Sequence, residues 1–110
     1  MHPGEVRITT NQRVVTAAGT PEQLREAPEY YGNKVVSLVV TALLSNTGNI
    51  YITRIEDRAT ITTTGDILAP GDTWKVDVSM FTGAYVDLAH ILIDAAVNGE
   101  GVSYTAIEVQ

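Results

Sequence analysis

Apolar and polar positions alternate with a period of two along most of this chain. Trp74, Val76, Val78 and Met80 fall on one side of a repeating pattern, and Thr73, Lys75, Asp77 and Ser79 on the other. That is the signature of a strand with one wet face. Val6 and Ile8 alternate with Glu5, Arg7 and Thr9, and Ile50 and Ile52 with Tyr51 and Thr53. Val35 to Leu44 (VVSLVVTALL) is apolar on both faces and predicts a central strand. Tyr85 to Ala96 is similar: Ala89, Ile91, Ile93 and Ala95 make one face, and Leu88, His90 and Leu92 the other. Gly101 to Val109 reads as a last strand, entered from NGEG as a hairpin. The β-branched, polar run Thr60-Ile61-Thr62-Thr63-Thr64 reads as an edge or surface strand.

Turn signals punctuate these runs: AAGTP, YYGNK, NTGN, TTGD, APGD, FTG and NGEG. Ala69-Pro70-Gly71-Asp72 predicts a type II turn, because proline presets φ at its second position and glycine accepts positive φ at its third. NTGN is expected to fold the 35–44 strand back onto Ile50–Thr53 as a hairpin. One segment has helical signals. Thr20-Pro21-Glu22-Gln23 matches a capping box with proline at the first helical position, and Pro28 stops it early. The pattern as a whole predicts an all-β fold, a β-sandwich or jelly-roll-like barrel of about seven or eight antiparallel strands. At most one short helix is expected, near 21–26. One domain should span 1–110, with 1–5 as an N-terminal arm.

Composition narrows the function. The chain has 110 residues and no cysteine, so thiolate chemistry and disulfides are out. The longest apolar run is too short to span a bilayer, no membrane association is expected, and MHPGEVR lacks the features of a signal peptide. Net charge is −6. Residues 59–110 carry it all, with Lys75 alone against Asp66, Asp72, Asp77, Asp87, Asp94, Glu100 and Glu108. An acidic surface repels phosphate, which argues against direct nucleic-acid binding.

Catalytic hardware is sparse. Of the two histidines, His2 lies near the terminus and His90 in an apolar strand, and no GxSxG, GxGxxG or P-loop is present. A zinc site needs three or four ligands of His, Cys or carboxylate, and with no cysteine and two histidines far apart in sequence none is expected. Asp66 and Asp72, and Asp94, Asn98 and Glu100, flank two turns and offer oxygen ligands for calcium, but lack the DxDxDG spacing. Such residues also serve turns for local reasons. The expectation is therefore no enzyme, no cofactor and no metal.

The order of VVSLVVTALL, NTGNIYI, ILAPGDTWKVDV and VDLAHILIDAAVNGEGV resembles small virion proteins of tailed bacteriophages, among them capsid decoration and accessory proteins. The resemblance covers about residues 33–109. It implies a structural virion protein, made in the host cytoplasm and bound to a capsid or tail protein. Two alternatives are a glycan- or ligand-binding module using exposed aromatics and a tail or head–tail accessory protein. Trp74 shares a face with Val76 and Val78 and is expected in the core. Docking onto a partner is assigned to Arg25, Tyr30 and Tyr31 in the long 18–33 connection, with Tyr51 next. The two-sided apolar strands predict a homo-oligomer, favouring a trimer, through Leu88, His90 and Leu92. A histidine buried there would make assembly pH-sensitive.

Overall fold

The computed structural model describes residues 6–25 and 34–109. Eight strands occur among them: β1 (Val6–Val14), β2 (Glu22–Gln23), β3 (Lys34–Ala42), β4 (Ile50–Arg54), β5 (Asp66–Leu68), β6 (Thr73–Asp77), β7 (Ile91–Ala95) and β8 (Gly101–Val109). The first sheet has the order β1-β8-β3-β6 and the second β2-β7-β4-β5. All pairings are antiparallel. Followed along the chain, every connection changes sheet except the one from β4 to β5. This is the eight-stranded, double-sheet jelly roll.

Alternation explains the core. Val102, Tyr104 and Ala106 of β8 point inward, as do Ile50 and Ile52 of β4 and Ile93 and Ala95 of β7. β3 needs one adjustment, because Val35 and Leu38 are both fully buried although three positions apart. A bulge between Val35 and Ser37 shifts the register there and lets both face inward. The predicted turn at Ala69–Asp72 forms: Asp72 N donates to Ala69 O at 2.9 Å, and Gly71 has φ +86°.

Four local expectations are corrected. Glu22–Gln23 is a strand, not the start of a helix: it pairs with Leu92 and Ile93 of β7, and Leu24 N donates to Ile91 O at 2.8 Å. This seats Leu24 in the core, and burial overrides the local capping pattern. The short helix instead falls on the threonine run, as α1 (Ile61–Thr64), where the Thr63 and Thr64 hydroxyls donate back to Thr60 O. NTGN and NGEG are not hairpin turns, since each carries the chain from one sheet to the other. Strand 85–96 does not start until Ile91. Asp87 Oδ1 accepts from Ala89 N at 2.9 Å and forms a tight turn over Leu88–His90.

The two sheets differ on their outward faces. Residues 55–64 pack on β4 and β7. Leu92 and Ile61 are buried on that side, outside the main core cluster. The chain itself thus covers the outer face of the second sheet, so β7 is apolar on both faces without any need of a second copy. On β1, in the first sheet, the outward Val6 and Ile8 are exposed.

Candidate interaction surfaces

The short loops 15–20, 43–49, 69–72 and 96–100 are bonded into one end of the sandwich. Glu100 is the hub. Its carboxylate accepts from Thr47 N (2.6 Å), Thr47 Oγ1 (2.9 Å) and Gly48 N (2.9 Å). The Gly48 N–H, followed by that of Thr47, holds this carboxyl below the usual glutamate range. Asn46 is buried and bonds both backbone groups of Gly101, Nδ2 to the carbonyl (2.8 Å) and Oδ1 from the N–H (3.2 Å). Asn98 Oδ1 accepts from Ala18 N, and Asp94 Oδ1 from Gly19 N and Ala95 N. Asp72 Oδ2 accepts from Ala69 N, and Asp66 Oδ2 from the Trp74 indole at 2.7 Å. The acidic groups weighed as calcium ligands therefore each hold a turn or a side chain in place. Among the described residues no three His, Asp or Glu side chains are gathered as metal ligands.

The long β6–β7 connection is different. Phe81 N donates to Val78 O and Ala84 N to Phe81 O, so two successive turns throw out a short tip. On it Met80 is 83% exposed, Phe81 60% and Tyr85 56%. Lys34 Nζ stands 5.6 Å above the Tyr85 ring. Val86 N donates to Val35 O at 2.7 Å and pins the far end of the connection to β3. The alternation that assigned Met80 to the core face ends at Asp77, where Asp77 Oδ1 accepts from Ser79 N and starts the turn. Phe81-Thr82-Gly83 was the signal that could have marked this tip.

The candidate residues scatter. Arg25 is largely buried and lies 3.5 Å from Glu108, whose side chain is fully buried. It is placed for holding the fold rather than for display. Tyr30 and Tyr31 lie outside the described residues, as does the arm 1–5. Tyr51 is half-buried beside the exposed Ile67 of β5. Leu88 and Leu92 are both at 0% exposure, within the chain's own interior, and have no surface left for a second copy. His90 is exposed and stands 3.8 Å from Asp87. Being exposed, it does not supply the buried histidine on which pH-sensitive assembly would depend. Trp74 is half-buried against the core.

No family model and no curated protein matches this chain. Among solved structures, the coat protein of Tobacco streak virus aligns over 100% of this chain and 90% of its own, at 10% identity and a TM-score of 0.46.

Proposed function

We propose that this protein is a non-enzymatic structural component of a virion, attached to a capsid or tail protein as decoration proteins of tailed bacteriophages are. One observation carries the attachment: Met80, Phe81 and Tyr85 are all exposed on a single turn-built tip. Grouped large apolar side chains in water mark contact surfaces, and aromatic residues and methionine are enriched where proteins meet. Tyr51 and its neighbour Ile67 form a second, smaller patch. The virion setting is supported by the turn order over residues 33–109. The jelly roll is an architecture that viral capsid proteins, lectins and cupins share, so the fold is compatible with this setting without specifying it.

The test is incorporation. Particles purified from a lysate of the producing host should contain the chain in fixed ratio to the major capsid protein. A Met80→Asp/Phe81→Asp variant, melting as the wild type does, should be missing from them. A wild-type chain confined to the soluble fraction overturns the virion reading. Full incorporation of the variant overturns the assignment to the tip.

A further inference from the structure

The first sheet presents an outward face of unusual composition. The register aligns Val6 with Val109 and Ile8 with Ile107, and places Val39 beside Thr105. Every other outward position on β1, on β8 and from Ser37 to Thr41 of β3 is Thr, Ser, Gln, Val or Gly. Three adjacent strands thus expose a face without one charged side chain, on a protein of net charge −6. Charge returns only at its border, with Lys34 at one corner and Lys75 and Asp77 on β6. Val6 is 59% and Ile8 67% exposed. The matching face of the second sheet is closed by residues 55–64, and no described segment closes this one.

We infer that the outer face of β1-β8-β3 is a self-association surface, on which a second copy of this chain packs face to face about a two-fold axis. Charge selects the occupant. Two acidic copies repel wherever their carboxylates meet, and this face brings none of them together. A neutral, β-branched face is complementary to itself, as an isologous contact requires, and its mixed-charge border supplies a polar rim. Aligned sheets pack about 10 Å apart with interleaved side chains. The face is small. Three strands about 4.8 Å apart and about 30 Å long cover roughly 400 Å² in projection, about half of what a standard interface buries on each partner. The contact is small, so the dimer is sought as a reversible one at high protein concentration. This inference does not rest on the virion reading, and its test uses the purified chain alone.

Sedimentation equilibrium up to about 1 mM should show a reversible monomer–dimer equilibrium in the wild type. Ile8→Lys on β1 and Val39→Lys on β3, two strands further in, should each weaken it at least tenfold with unchanged melting. Met80→Asp, at the loop tip, should dimerise as the wild type does. A wild type that stays monomeric throughout overturns the inference. So does a dimer insensitive to Val39→Lys, since the contact would then be the β1 edge, and so does one lost with Met80→Asp.

Discussion

Glu108 is an acid at a core position, and the cost of that placement falls on Arg25. Its carboxylate accepts from the Thr9 hydroxyl at 2.5 Å and faces the Arg25 guanidinium at 3.5 Å. Removing one member of such a pair leaves a buried charge. Arg25→Met should cost on the order of 3 kcal/mol in denaturant unfolding, and pairing it with Glu108→Leu should recover most of that. Parity had a signal to give here, since Glu108 continues the inward series Val102, Tyr104, Ala106. Its partner lay far off in sequence, which parity along one strand does not report. Gly101 is a second such case. A Cβ there would sit 2.1 Å from Arg13 O, because β1 and β8 close on each other at that point. Gly101→Ala should cost about 1–3 kcal/mol, read from the same unfolding curves. Glu100 sets a pH response. Its folded pKa lies below the ordinary value of 4.5, so its contribution is complete above about pH 4.5 and is lost as pH falls through the lower, folded value. Glu100→Gln should therefore lower the melting temperature at pH 7. It should also narrow the drop between pH 7 and pH 3 relative to wild type.

At the scale of elements, period two revealed where most strands lie and which side of most faces inward; β1 is the exception, because its apolar Val6 and Ile8 face outward and are exposed. It was silent on which sheet a strand joins, because inward residues look the same in either. That is why the connections NTGN and NGEG, with the polar-glycine composition of hairpin turns, span the two sheets instead. Short elements were the least legible. β2 owes its existence to the open edge of β7 and to the burial of Leu24, and α1 to the cover its Ile61 provides. Neither cause lies within the segment concerned. Trp74 shows the same limit. Its strand and inward side were legible, yet β6 is an edge strand of its sheet and leaves the ring half-buried, with its N–H on Asp66. Trp74→Ala should cost about 2 kcal/mol, short of the 3–5 typical of a fully buried aromatic, and Trp74→Phe about half as much. Thermal melts of the two variants side by side would check the order.

Across the whole molecule, the sandwich class and the surplus of apolar strand surface were both written in the alternation. The part of the surplus on β7 is taken up within the chain by residues 55–64, which carry no sequence mark as a cover. The strand order has a further consequence, for the route to the fold. β8 is last of the eight in chain order, yet it lies between β1 and β3 and pairs with both along its length. Until it arrives, the first sheet cannot close. β3 is left with one open edge, and β1 is left without the strand it pairs with. Non-local pairing of this kind is slow, in the millisecond-to-second range for β topologies, and unpaired edges invite foreign strands. These two strands do not distinguish their own β8 from a neighbour's. Refolding at high protein concentration should therefore trap a fraction of reciprocally exchanged dimers. These would survive dilution and chromatography, since returning the two strands means opening the first sheet of both copies.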